Sequence, residues 1–305
     1  VLSPVVLGID FGGTKTALAV ARADGARLGT VTVQTPVEQG AGASLRRAVG
    51  AARELLGEVA AGQGPAAVGV ATIGVPGEDG AELAPNIPGW SGLALRRELR
   101  QAFPGAEIRL ANDVKAAAQA EAETGALRGC DPGIYLNLGT GLAVALVVGG
   151  RVVAGHRGAS GEIGYNLLRV ADVGRPAAGR VPLEDVVSGR ALGSAAADLL
   201  PPGRDAEQVF ARAAHDPRAA RALDRFLTEL AFHLVNLANV VDPERIAVGG
   251  GMVRSWDALH GRLRHALDAA VPYPPQLVPA AYPYDAPLRG ALGLGLSAVQ
   301  HRSPL

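Results

Sequence analysis

Three short stretches of this chain place closely spaced glycines directly after an apolar run. Asp10-Phe11-Gly12-Gly13-Thr14-Lys15 adds a carboxylate before its turn and a lysine after it; Leu138-Gly139-Thr140-Gly141 and Val248-Gly249-Gly250-Gly251 are the others. Without Cβ atoms in the way, the backbone N–H groups of such a turn can close on an anion, and a threonine hydroxyl adds a donor. Each turn alone reads first as an ordinary hairpin turn. Three of them, each directly behind a strand, are much less easily dismissed as ordinary turns. None is a GxxxxGK[ST] loop, and Gly249, Gly250 and Gly251 do not make a full GxGxxG.

Two acidic positions carry alternative readings. Asp10 either braces its turn through an Asx-type bond or serves Mg²⁺, an ion that keeps several waters and binds through few carboxylates plus substrate phosphates. Lys15 is a phosphate partner or a solvated turn lysine. Asn112-Asp113 falls between a strand and a helix, where both side chains suit an N-cap. The sharper alternative makes Asp113 a general base and Asn112 an orienting amide for a substrate hydroxyl, chemistry that fits phosphoryl transfer to an alcohol.

The elements that must position these residues alternate between strands and helices, the pattern of an α/β protein. Strands are expected at residues 5–10, 16–22 and 27–34, and a helix behind Ser44 with apolar positions Leu45, Val49, Ala52, Leu56 and Val59. A buried-type run at 67–73, a helix at 93–103 behind Ser91, a strand at 107–110 and an alanine-rich helix from 112 follow. At Gly133 the plan restarts: strand 134–138, glycine turn, strand 142–148, turn, strand 151–154. The two hairpins lie about 125 residues apart, too far for a solenoid repeat; they suggest either two related halves or a chance likeness between glycine-rich hairpins. Helices are then expected at 183–200, 206–214, 217–240 (Asp216 as cap, Pro217 at its first position), 254–270 and 288–300, with strands at 245–248 and 276–281.

Composition narrows the partners. Of 305 residues, 48% are hydrophobic and only 19% charged, and 29 basic residues balance 29 acidic ones. No overall field recommends nucleic acid or an anionic membrane; a small ligand held by local contacts fits better. The single cysteine, Cys130, cannot pair within the chain or join a multi-cysteine zinc site, so a cytoplasmic location is expected. Residues 1–9 lack a basic n-region and Asp10 interrupts them, so no secretion signal is expected. The six histidines form no tight metal-ligand constellation.

Taken with Ala84-Pro85-Asn86-Ile87-Pro88-Gly89-Trp90, Ala111-Asn112-Asp113 and Gly161-Glu162-Ile163-Gly164, the three glycine turns resemble the ROK family of repressors, uncharacterised frames and sugar kinases, in family order over nearly the whole chain. The resemblance implies the actin-like, hexokinase-type (ribonuclease H-like) ATPase fold in two lobes. Residues 1–113 with 289–305 would form the small lobe and 114–288 the large one, with the active cleft between. Asp113 would be the base acting on a sugar 6-hydroxyl, and Gly77, Asn86, Asn112, Glu162, Tyr165 and Glu184 would line the sugar. Glu184 equally suits the first turn of a helix. Asp10, Gly12, Gly13, Thr14, Lys15, Gly139, Thr140 and Gly141 would face ATP phosphates and Mg²⁺, with Asp10 reaching the ion through water; Gly249, Gly250 and Gly251 would serve the nucleoside side.

The chain departs from the family pattern at one place. Tyr165 stands where the sugar-kinase pattern has a histidine that binds zinc and touches sugar, and the cysteine cluster expected next is replaced by a Gly-, Pro-, Ala- and Arg-rich stretch. No zinc site is expected, and glucose specificity is not simply inherited. The resemblance implies an ATP-dependent kinase for glucose or a gluco-configured hexose or amino hexose such as kanosamine. A catalytically silent sugar-binding or regulatory protein is the rival, without DNA binding because the first strand opens within ten residues. Polyphosphate as donor stays open, and a homodimer is compatible with the family.

Overall fold

The computed structural model describes residues 3–84, 87–196 and 206–300. The chain divides into two compact units, Val1–Ala120 with Asp285–Leu305, and Glu121–Tyr284.

The first unit opens with an antiparallel meander, β1 (Val5–Phe11), β2 (Lys15–Arg22) and β3 (Arg27–Gln34). Helix α1 (Gly40–Val59) returns the chain to β4 (Ala67–Thr72), which lies parallel to β1. A small hairpin of β5 (Val75–Pro76) and β6 (Ala81–Glu82), then α2 (Leu95–Ala102), lead to β7 (Glu107–Asn112), parallel to β4, and to α3 (Asp113–Thr124). The sheet order is β3-β2-β1-β4-β7. The central strands are buried almost without alternation, as strands covered on both faces must be.

The second unit repeats the plan. Strands β8 (Gly133–Leu138), β9 (Leu142–Val148) and β10 (Arg151–Val152) form the meander. Helices α4 (Gly189–Ala195), α5 (Ala206–Ala213) and α6 (Pro217–Val241) precede β11 (Arg245–Gly249), and α7 (Trp256–Ala270) connects it to β12 (Gln276–Pro279). The order β10-β9-β8-β11-β12, with β8, β11 and β12 parallel, reproduces the first sheet strand for strand. That shared order settles the repeat suggested by the two glycine hairpins.

Helix α8 (Ala286–Gln300) then packs on β1 and β4 of the first sheet. Gly69 makes this approach possible, since a Cβ there would stand 1.8 Å from the Ala291 carbonyl oxygen. Each unit has its own core: Leu7, Ile9, Phe11, Val70 and Trp90 in the first, Leu136, Leu138, Val248, Leu230 and Leu263 in the second. The start and finish of the second unit are tied by buried Glu121, whose carboxylate accepts from the N–H groups of Ala126 (2.7 Å), Ala281 (3.0 Å) and Tyr282 (2.7 Å).

Several helix ends differ from expectation. Helix α1 starts four residues before Ser44, because a 3-10 turn at Val37–Gln39 feeds it directly; the Ser44 hydroxyl instead donates back to the Gly40 carbonyl. The helix expected at 93–103 is shortened by a 3-10 turn at Trp90–Gly92 and has no side-chain cap. The one expected at 183–200 is a single turn, Leu183–Asp185, followed by α4, which Ser188 caps through the Ala191 N–H at 3.1 Å; residues 197–205 lie outside those described. Helix α6 starts as the sequence signals, with Asp216 accepting from the Arg218 N–H at 2.8 Å and Pro217 behind it.

Candidate active site

In the first unit, the strand register places Asp10 beside Ala71, and Phe11 beside Thr72, which itself pairs with Asn112. Asp10, the loop after β4 and Asn112-Asp113 therefore gather at the carboxyl ends of three parallel strands, the usual ligand edge of such a sheet. The 12–15 turn is closed by the Gly12 N–H donating to the Lys15 carbonyl at 3.1 Å. Gly13, Thr14 and Lys15 are exposed, so their polar groups face solvent.

Thr35, which sequence reasoning passed over, secures this turn. Its N–H donates to the Thr14 carbonyl (2.9 Å), its hydroxyl donates to the Gly12 carbonyl (2.9 Å), and its Oγ1 lies 3.1 Å from Thr16 Oγ1. No sequence signal marks it, because the partners lie about 20 residues back and meet it only through the β2–β3 pairing.

Asp10 and Asp113 share one electrostatic field. Burial, then the charge of Asp113, pushes the Asp10 carboxyl up to about 7, while Lys15 pulls it the other way. Asn112 is buried and acts as the cap of α3. Its Oδ1 accepts from the N–H groups of Val114 (2.9 Å) and Lys115 (3.3 Å), and its Nδ2 donates to the Gly74 carbonyl (3.0 Å). Asp113 Oδ1 also accepts from the Val114 N–H, at 2.8 Å. The cap reading of the pair is thus visible in the geometry. Gly77 sits in the exposed turn between β5 and β6, its N–H donating to the Gly80 carbonyl at 2.8 Å. Asn86 lies outside the described residues. Beneath the site, buried Trp90 donates from Nε1 to Thr72 Oγ1 (3.1 Å) and its ring lies 5.1 Å from that of Phe11.

In the second unit, the 139–141 and 249–251 turns pack against each other. Gly250 has φ +86°, and a Cβ there would lie 2.4 Å from the Leu138 carbonyl oxygen, so only glycine permits the contact. The Gly139 N–H donates to the Gly141 carbonyl (3.1 Å), and the Gly139 carbonyl accepts from the Gly189 N–H at the start of α4 (2.8 Å). Thr140 is exposed.

Glu184 braces the same turn: Oε2 accepts from the Leu142 N–H at 3.0 Å, and Oε1 accepts from Arg190 at 3.2 Å. Glu162 precedes the 3-10 turn Ile163–Tyr165, and its carbonyl accepts from the Tyr165 N–H at 3.1 Å. The Tyr165 side chain is only partly exposed, and the loss of water around its buried part, then the charges of Glu162 and Glu184, hold its hydroxyl above the ordinary pKa. It remains a phenol at neutral pH, able to donate and accept. Glu162, Tyr165 and Glu184 thus form a polar group next to the glycine turns. Among the described residues, no three or more His, Cys, Asp or Glu side chains are placed to hold a metal ion, and no helix is long and apolar enough to cross a membrane.

A profile of the ROK family matches residues 6–297. The chain belongs to the ROK family. It is 30% identical to a glucokinase of Thermotoga maritima over 85% of this chain and 86% of the relative. It is 31% identical to a kanosamine kinase of Amycolatopsis mediterranei over 82% of this chain and 81% of the relative. Among solved structures, a ROK family glucokinase from Streptomyces griseus in complex with glucose and AMPPNP superposes with a TM-score of 0.76, at 27% identity, covering 95% of this chain and 98% of that one. The fold is therefore the actin-like ATPase fold of ROK hexokinases, with its two mixed sheets. Relatives named as kinases support the enzyme class, an ATP-dependent sugar phosphotransferase.

Proposed function

We propose that this ROK protein transfers the γ-phosphoryl group of ATP to the 6-hydroxyl of glucose or a gluco-configured hexose or amino hexose, kanosamine among them. The observation that carries the reading is the gathering of Asp10, the 12–15 turn and Asn112-Asp113 at the carboxyl ends of three parallel strands. A carboxylate at the first turn of α3 suits removal of a proton from an alcohol as phosphoryl transfer proceeds, because most of that catalysis is positioning and charge stabilisation.

The carboxylate pair also fits Mg²⁺. Burial and the charge of Asp113 push Asp10 up to about 7, and a divalent cation would relieve both. The ion needs few protein carboxylates when phosphates and water complete its shell. Asp10 would hold it through water, and the bound ion would neutralise charge on the donor phosphates. Asp113 accepts the sugar's proton. Lys15 and the N–H groups of the 12–15 and 139–141 turns receive phosphate oxygens, and the 249–251 turn serves the nucleoside. Gly77, Asn86, Asn112, Glu162, Tyr165 and Glu184 bind the sugar, with Tyr165 and the two glutamates offering acceptors that suit an amino group as well as a hydroxyl.

The test is release of ADP across a panel of hexoses and amino hexoses with Mg²⁺-ATP, with a parallel series using polyphosphate. Turnover confined to gluco-configured sugars is the expected result. Sugar binding with no turnover from either donor would instead make the protein a silent binder.

A further inference from the structure

Residues 166–182 follow the sugar-side group and contain no strand or α-helix, only single 3-10 turns at Val170–Asp172 and Ala177–Gly179. Val170 and Val173 point into solvent. A segment with so little to bury takes its shape from side-chain ties.

Two ties are built from arginine. Buried Asp172 lies between Arg169 (Nε to Oδ2, 3.5 Å) and Arg175 (Nη1 to Oδ1, 3.8 Å), which folds the middle of the segment on itself. Farther on, Arg180 turns back across the segment. Its Nη2 donates to the Tyr165 carbonyl at 2.6 Å and its Nη1 to the Asn166 carbonyl at 3.1 Å. A planar guanidinium bonded to two successive carbonyls fixes the orientation of both peptides, which a lysine with a single ammonium cannot reproduce.

Those peptides lie at the base of Tyr165. On the other side, the Tyr165 N–H is held by the Glu162 carbonyl, and the Ile163–Tyr165 turn packs on the Leu183–Asp185 turn. Gly164 is so close that a Cβ there would meet the Glu184 Cβ at 3.3 Å. At the exit from Tyr165 the Asn166 N–H donates to the Ile163 carbonyl at 2.9 Å, and Arg180 adds the side-chain tie that holds both carbonyls.

We propose that Arg180 is a positioning residue for sugar binding: by holding the Tyr165 and Asn166 carbonyls it sets the Tyr165 phenol on the face it shares with Glu162 and Glu184. The part of Arg180 in this is through those two carbonyls. The inference rests on the reading of Tyr165 as a sugar contact.

The test compares steady-state kinetics of the full chain and of Arg180→Ala, Arg180→Lys, Tyr165→Phe and the Arg180→Ala/Tyr165→Phe double variant, with ATP and whichever of glucose or kanosamine turns over faster. Arg180→Ala is expected to raise the sugar KM about tenfold while the ATP KM stays within about twofold, the scale of a lost oriented hydrogen bond. Arg180→Lys should fall between, and the double variant should be no worse than the worse single one. If Tyr165→Phe raises the sugar KM and Arg180→Ala does not, the inference fails while the reading of Tyr165 stands. If Tyr165→Phe changes nothing, that reading fails and the inference with it. A rise in both KM values with a lowered melting temperature in Arg180→Ala would mark a purely structural role and overturn the proposal.

Discussion

Burying Asp10 beside the charge of Asp113 is costly to the fold, and the cost has a definite pH dependence. Its carboxyl is raised from an ordinary 3.8 to about 7, first by burial and then by Asp113. Between those values the folded chain holds a proton that the unfolded chain has lost, so this group's contribution falls as pH rises and its penalty is complete above about pH 7. Asp10→Asn should therefore stabilise the ion-free protein by about 2–4 kcal/mol at pH 8 and by little at pH 4. Thermal melts in a chelator at the two pH values check this; an equal gain at both would contradict it. Asp10, Asp113 and the glycine turns were legible because their chemistry is local in sequence. Thr35 and Arg180 were not, since a threonine at a strand end and an arginine in a loop resemble many others, and their partners lie 23 and 15 positions away.

At the scale of elements, the glycine turns depend on supports that sequence periodicity does not show. The hydroxyl and N–H of Thr35 both bond the 12–15 turn, so Thr35→Val removes the hydroxyl's bond and leaves the Gly12 carbonyl without its donor. The expected outcome is an ATP KM raised about five- to tenfold, with the sugar KM little changed. Equal effects on both substrates would show that the turn is not specific to the donor. Where helix starts were misplaced, at α1, α2 and α4, a 3-10 turn preceded the helix; Ser44 and Ser91 do not cap α1 and α2, whereas Ser188 caps α4 five residues beyond the expected start. Helix α6 was legible because Asp216-Pro217 states its own start in local chemistry.

For the whole molecule, the repeated sheet order explains why the two glycine hairpins resemble each other so far apart in sequence. The two units differ in how they are assembled from the chain. The second is one continuous piece, whereas the first needs α8, which buries Leu288, Leu292 and Ala298 against Val6, Ala19 and Ala67, and Ala291 against Ala71 and Ala116. A fragment of residues 113–284, which keeps α3 whole, should melt cooperatively by circular dichroism. Residues 1–120 alone should not, because one face of their sheet is uncovered. Gly69→Ala probes the same packing in the intact chain. Its Cβ would collide with the Ala291 carbonyl oxygen, and a loss of about 2–3 kcal/mol in denaturant unfolding is expected.

The central claim, that Asp113 takes the proton of a sugar hydroxyl, is tested most directly by Asp113→Asn. With Mg²⁺-ATP and the preferred sugar from the panel, kcat should fall about 10²–10⁴-fold. The sugar dissociation constant, measured calorimetrically on the same protein, should stay within about threefold, as befits a group needed for the proton and not for binding. Near-normal turnover in Asp113→Asn would contradict the account.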